Sequence, residues 1–325
     1  MKKFLLSLFI IISTLSAAHA DVRNKVFSST SFWYKPIPSW APLHPNSYNY
    51  VQEFLRQKKT YYGTVNINTT SYTSPVYYST WSTPKVTVRE WDCQKKGFKD
   101  ATLKTAWASV PIPSNAIPSK GTDAEMTIYD APTDTLYEFW RMRKTYGVWE
   151  ACWGGRIKGT HSNQGTFSTY YGTTATSLPF VGGQITAAEL SAGVINHAIG
   201  IALVDAEKRS IFSYPAQRSD GYNPYNLKNR IPEGLRFRLD PAVNVDALPM
   251  TRAGKIIAKA AQKYGFVVWD RAGAISIRAQ NSLSYTQLGQ ANPYPALFSY
   301  KPSYDVLNGF PWGKLQFLPM NYRVY

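Results

Sequence analysis

The chain has 325 residues, with 36 Lys plus Arg against 20 Asp plus Glu, a formal charge of +16, and an aromatic share of 15% that includes 23 Tyr and 10 Trp. A hydrophobic share of 44% excludes a disordered chain, and beyond the N-terminal leader no run approaches the ~18 apolar residues of a bilayer-spanning helix. The cation excess favours polyanionic partners, but no nucleic-acid-reading motif accompanies it, so nucleic acid is not the expected partner.

Lys2 and Lys3, the apolar stretch 4–15 and the small residues of Ala17-Ala18-His19-Ala20 have the layout of a cleaved signal peptide over residues 1–20. The expected mature product, 21–325, is exported, secreted or periplasmic, and loss of the two lysines takes the formal charge from +16 to +14. A helix is expected over 46–57, with Tyr50, Val51, Phe54 and Leu55 on its apolar side. Strands are expected at 60–67, 86–91, 125–129, 135–143 and 148–153, with a tight connection over Asp130-Ala131-Pro132-Thr133-Asp134. Thr186 and Glu189 form a capping-box pattern for a short helix, and the apolar run 194–204 follows as a buried strand. Further strands are expected at 211–214, 235–239, 266–269 and 274–278. A second helix over 251–264 places Ile256, Ile257, Ala260, Ala261 and Tyr264 on one stripe and stops at Gly265. No linker, charge block or repeat marks a boundary, so many short strands in one unit predict a mainly β, single-domain β-sandwich or jelly roll, concanavalin-like, with a few short helices.

Cys93 and Cys152, the two cysteines, are expected to form a disulfide in an oxidising compartment. The three histidines after the leader lie far apart and no Cys-x-x-Cys occurs, so neither metal spacing nor a cofactor motif is present.

Chemistry is sought where polar groups interrupt strands. In the 194–204 run, alternation puts His197 on one face with Ile195, Ile199 and Ile201, and Asn196 on the other. His197 is either a core histidine bonded to a carbonyl or a proton-transfer residue on a groove floor. Asp123 and Glu125 stand two apart and share a face, and Glu138 comes near if the turn makes a hairpin. Such carboxylates are the acid and base of glycoside hydrolysis, or simply solvated strand ends. Arg141, Arg143, Arg156, Gln217 and Arg218 are candidates to hold an anionic substrate, beside Trp140. Combined with His197 or a tyrosine, they would also suit β-elimination of a uronic-acid polymer, in which a cation neutralises the carboxylate and His or Tyr moves protons. An Arg–Glu ladder on a sheet surface is the alternative for Arg141 and Arg143.

Blocks along the chain carry a family resemblance: Ala41-Pro42-Leu43-His44-Pro45-Asn46-Ser47, the run from Gly121-Thr122-Asp123 to Leu136-Tyr137-Glu138-Phe139-Trp140-Arg141-Met142-Arg143, Ala175-Thr176-Ser177-Leu178-Pro179, His197-Ala198, Tyr214-Pro215-Ala216-Gln217-Arg218-Ser219-Asp220-Gly221 and Ile231-Pro232-Glu233-Gly234. With these the chain resembles a group of exported bacterial β-sandwich-like proteins of unassigned function. The resemblance runs over nearly all of 21–325, which implies a single domain, and it is specific to the family while silent on activity. The group has His where this chain has Glu125 and Asp where it has Asn196, so a Glu125 acid is not its common mechanism; Asp123, Glu138, His197, Gln217 and Arg218 match.

The expectation is a secreted protein that binds and cleaves an acidic polysaccharide in an aromatic, basic groove, as a lyase or a glycoside hydrolase. His197, Glu138 and Asp123 would act on the substrate, and Arg156, Gln217, Arg218, Asn196, Trp140 and Glu125 would bind it. The alternatives are a non-catalytic glycan-binding envelope or matrix protein and a secreted factor acting on another cell's wall or lipid surface.

Overall fold

The computed structural model describes residues 25–323; the leader assigned to 1–20 lies outside them. The fold is mainly β. Fifteen strands among the described residues make a six-stranded sheet, a four-stranded sheet and two smaller ones. The six-stranded sheet runs in the order Asn66–Asn68, Ser276–Arg278, Ile199–Leu203, Phe266–Arg271, Arg236–Leu239, Leu315–Phe317. Pairing is mixed: Ile199–Leu203 lies parallel to Phe266–Arg271 on one side and antiparallel to Ser276–Arg278 on the other. The four-stranded sheet is ordered Trp153–Lys158, Thr135–Trp140, Met126–Asp130, Val76–Ser79, and its middle pair is the hairpin expected around 130–134. No helix among the described residues is long and apolar enough to cross a membrane.

Side-chain alternation sorts the core into layers. Ile199, Ile201, Phe237, Phe266 and Val268 face the helices Ser47–Thr60 and Arg252–Lys263, which contribute Phe54, Ile256, Ile257, Ala260 and Ala261 to the same cluster. Val267 and Trp269 point the other way and join Trp33, Val76, Tyr129, Leu136 and Ile157, so a second cluster lies between the two large sheets. On the far side of the four-stranded sheet, Ile128, Tyr137 and Phe139 pack with Leu103 and Trp107. Every residue of Ile199–Leu203 is buried, as expected of a strand covered on both faces.

A β-bulge at Trp269 decides what this sheet presents at its end. Ile201 pairs with Val268 and Ala202 with Asp270, so Trp269 is the extra residue. A bulge re-aims the side chains that follow it, here Asp270 and Arg271. Gly200 makes room for the indole: a Cβ there would come within 2.3 Å of the Trp269 ring.

Several expected boundaries move. The first helix continues to Thr60 and Tyr62 turns the chain at φ 67°, so of the expected 60–67 strand only residues 66 and 67 are extended, within the strand Asn66–Asn68. The strand expected at 194–204 starts at Ile199, because the short helix Ala187–Ala192 ends in Gly193 at φ 83° and residues 194–198 run irregularly, with Ala198 N bonded to Trp33 O instead of a strand. His197 therefore precedes the strand. The 135–143 run breaks at Arg141, whose φ of 53° ends pairing; its N–H goes to Asp123 O at 2.6 Å. Residues 211–214 form no strand, and Trp153–Lys158, Val76–Ser79 and the helix Ala101–Ala106 were not anticipated. The capping box of Thr186 and Glu189 and the Cys93–Cys152 disulfide, with a Cα–Cα distance of 5.6 Å, are as expected.

Because Gly200 is fixed by contact with a rigid indole on a central strand, Gly200→Ala should cost about 1–3 kcal/mol of stability in urea unfolding. A loss below about 0.5 kcal/mol would show that Trp269 moves freely there.

Candidate functional site

Two adjoining concavities, of about 550 and 470 Å³, share Asp123 and Arg271 and together make a groove. It lies where strands of both large sheets end or begin: Trp140 closes one strand, Trp153 opens its partner, Glu125 precedes a third and Asp270-Arg271 ends a fourth. Trp140 and Trp153 are direct cross-strand partners. Gln94 and Lys96 line the same wall, and the Cys93–Cys152 disulfide ties that segment to the residue before Trp153. Lys96 Nζ lies 4.3 Å from the centre of the Trp153 ring, and Tyr171 stacks on that ring at 5.7 Å. Tyr170, Tyr62 and Tyr72, all exposed, add further rings along the groove.

Asp123 sits at the junction of the two concavities. Its Oδ1 accepts a hydrogen bond from Trp140 Nε1 at 3.0 Å, and its carbonyl holds the Arg141 break described above. Glu125 is only 2% exposed, and its Oε2 accepts from the Ser119 hydroxyl. Burial, reinforced by the charge of Asp123 and opposed by that of Arg278, pushes its carboxyl up to about 7.

Glu138 lies one layer deeper, fully buried. It accepts from Thr173 Oγ1 at 2.8 Å and from Phe180 N at 2.7 Å, at the first residue of the helical turn Phe180–Gly183. Thr173 and Phe180 line the groove, so Glu138 supports its floor. Burial raises its carboxyl to about 8 despite those bonds and the charge of Arg278.

On the opposite wall, Arg278 donates from Nη2 to Asp270 Oδ2 at 2.9 Å, and its guanidinium lies over the Phe180 and Trp269 rings at 4.8 and 5.5 Å. Burial lifts the Asp270 carboxyl to about 6, against the pull of Arg278. Arg218 donates from Nη2 to the carbonyls of Thr174 and Gly172 at 2.9 and 3.2 Å and so staples the 172–175 wall. Desolvation holds its guanidinium below the ordinary arginine range.

Of the residues singled out in the sequence, Asp123, Glu125, Trp140 and Arg218 line the groove and Glu138 backs it. His197, Asn196, Gln217, Arg156, Arg141 and Arg143 line neither concavity. His197 is buried, its Nδ1 2.8 Å from Ala198 O and its Nε2 3.1 Å from Glu189 Oε1 of the capping box, an ion pair when the ring is protonated. Asn196 is exposed and meets Tyr264 Oη at 3.4 Å. Gln217 donates to Pro215 O at 3.3 Å, and Arg156 to Ala106 O at 3.2 Å. Arg143 pairs with Glu150 at 2.8 Å and covers Trp91, which matches the surface-ladder alternative. Asp220, Asp270, Arg271 and Arg278 were missed. Asp220 was within reach, since it lies in the Tyr214–Gly221 block, and Asp270 and Arg271 open the tight connection Asp270-Arg271-Ala272-Gly273 that the sequence shows between two expected strands, whereas Arg278 carries no local pattern. Neither family models, nor curated proteins, nor solved structures give a match to this chain.

The buried carboxyls make stability depend on pH. Glu138, held at about 8 when folded against an ordinary value of 4.5, binds a proton that the unfolded chain has lost between those limits. Stability is unaffected by this group below about 4.5 and falls as pH rises towards about 8. Glu138→Gln can keep the Phe180 bond through Oε1 and donate to Thr173, so the fall between about pH 5 and 8 should shrink by at least about 1 kcal/mol in urea titrations. An unchanged slope would show that Glu138 is ionised in the folded protein.

Proposed function

We propose that this protein binds an acidic polysaccharide along the groove and hydrolyses it. The observation that carries the reading is the convergence of two carboxyls, Asp123 and Glu125, on one groove walled by Trp140, Trp153 and Tyr170. Exposed tyrosine and tryptophan rings suit the apolar faces of sugars, and Lys96 and Arg271 on the same walls suit uronate carboxylates. A carboxyl held near 7 stays protonated in mildly acidic to neutral solution, which fits Glu125 for the general acid. In the proposed step the Glu125 proton passes to the glycosidic oxygen as its bond to the anomeric carbon breaks. Water forms the new bond to that carbon and gives its proton to Asp123. His197 has no part in this scheme, which is why hydrolysis is preferred to β-elimination.

Export belongs to the same reading: the expected leader and the disulfide both suit an oxidising compartment. So does the finer fold, a sandwich in which the two large sheets enclose the Trp33 and Trp269 cluster. The glycan-binding alternative draws on one observation, that Glu125 is 2% exposed and directed to Ser119.

Purified protein incubated with a panel of acidic and neutral polysaccharides should release reducing ends from an acidic polymer without ultraviolet-absorbing unsaturated products. The rate should fall as pH passes about 7, where Glu125 loses its proton. Glu125→Gln and Asp123→Asn should each slow it by about 100-fold or more while binding persists. Binding to a polymer without any product would assign the protein to the glycan-binding class, and unsaturated products would make it a lyase.

A further inference from the structure

We infer that Asp220, Glu233 and Asp270 together hold a divalent cation of the calcium class on the wall of the groove. The inference goes beyond the hydrolytic reading, which uses none of the three. Each supplies one carboxylate oxygen, and these oxygens lie within 4.8 Å of one another. They come from separate segments. Asp270 follows the bulge, Asp220 sits in an exposed loop, and Glu233 is anchored where its carbonyl accepts from Ser213 N at 2.8 Å.

Hydrogen bonding within the cluster is incomplete. Glu233 is 0% exposed; its Oε2 accepts from Asp220 N at 3.0 Å and the Ser219 side chain also favours its charged form, whereas its Oε1 is buried without a hydrogen-bond partner among the described residues. A buried carboxylate oxygen left unpaired costs several kcal/mol. The nearby cations do not meet that need. Arg278 bonds Asp270, Arg271 bonds the Asp220 carbonyl at 3.3 Å, and Arg218, whose charge faces all three carboxylates, gives its Nη2 to the carbonyls of residues 172 and 174 while its Nε stays buried without a hydrogen-bond partner among the described residues. A hard cation would satisfy Glu233 Oε1, which none of these arginines reaches with a hydrogen bond.

The donor set selects the ion. Three carboxylates without His or Cys favour Ca²⁺, Mg²⁺ or Mn²⁺ over softer metals. Calcium is favoured among them because it accepts an irregular shell of about 6–8 oxygens, and the exposed side of Asp220 leaves room for water or for a ligand oxygen. Asp220 and Asp270 line the larger concavity, so the ion would add positive charge where an acidic ligand would lie.

The test uses the whole protein, treated with EDTA, dialysed and titrated near neutral pH with CaCl₂, and separately with MgCl₂, by calorimetry, with terbium luminescence as a second probe. Saturable uptake of roughly one Ca²⁺ per chain, with Kd below about 1 mM, is expected. Asp220→Asn, at an exposed position, should fold normally and weaken binding at least about tenfold. Glu233→Gln, checked for folding by circular dichroism, should do the same. The inference is overturned by no saturable uptake of Ca²⁺ up to about 10 mM. It is equally overturned by Mg²⁺ bound in preference, or by binding that both variants leave unchanged. No polysaccharide enters these measurements, so their failure is separable from failure of the hydrolytic reading.

Discussion

Arg278 is 2% exposed, donates to Asp270 at 2.9 Å and lies within electrostatic reach of the buried carboxyls of Glu125 and Glu138. One desolvated guanidinium thus opposes three desolvated acids, two on strands and Glu125 just before one. Its Nε and Nη1 are buried without hydrogen-bond partners among the described residues, so it acts on Glu125 and Glu138 through charge rather than contact. Burial wins at each acid: the carboxyls of Glu125, Glu138 and Asp270 all stand above their ordinary values. The result is that Glu125 in the groove and Glu138 behind it keep their protons closer to neutrality than free carboxyls do.

The fold builds this wall through packing. Gly200 admits the Trp269 indole, the bulge at Trp269 turns Asp270 and Arg271 to the groove, and Trp269 in turn covers one side of the Arg278 guanidinium. On the facing sheet, the hairpin of Met126–Asp130 and Thr135–Trp140 sets Glu125 beside Asp123 at its open end and buries Glu138 within it. The disulfide fixes the remaining wall, which carries Lys96.

What could be read from the sequence was what is local. Asp123, Glu125 and Trp140 were found because a two-residue spacing and a short turn bring neighbours together, and the capped helices were found because their caps are contiguous with them. His197 was placed on a strand because an apolar run looks the same whether it is extended or bent; the left-handed Gly193 delays pairing until Ile199. The break at Arg141 was equally hidden, since a positive φ at a non-glycine residue is imposed by the Asp123 carbonyl rather than by the residue itself. Asp220, Glu233 and Asp270 belong to segments that meet only in the folded chain. No spacing rule reaches across a bulge, a loop and a parallel pairing, so the acidic cluster could not be anticipated.

The most direct test of the groove as the seat of function is hydrogen–deuterium exchange with and without an acidic oligosaccharide that the protein binds. The account predicts slowed exchange concentrated at 122–126, 170–175 and 270–272, with residues 194–198 around His197 unchanged. Protection centred on 194–198, or anywhere that spares the groove, would contradict it.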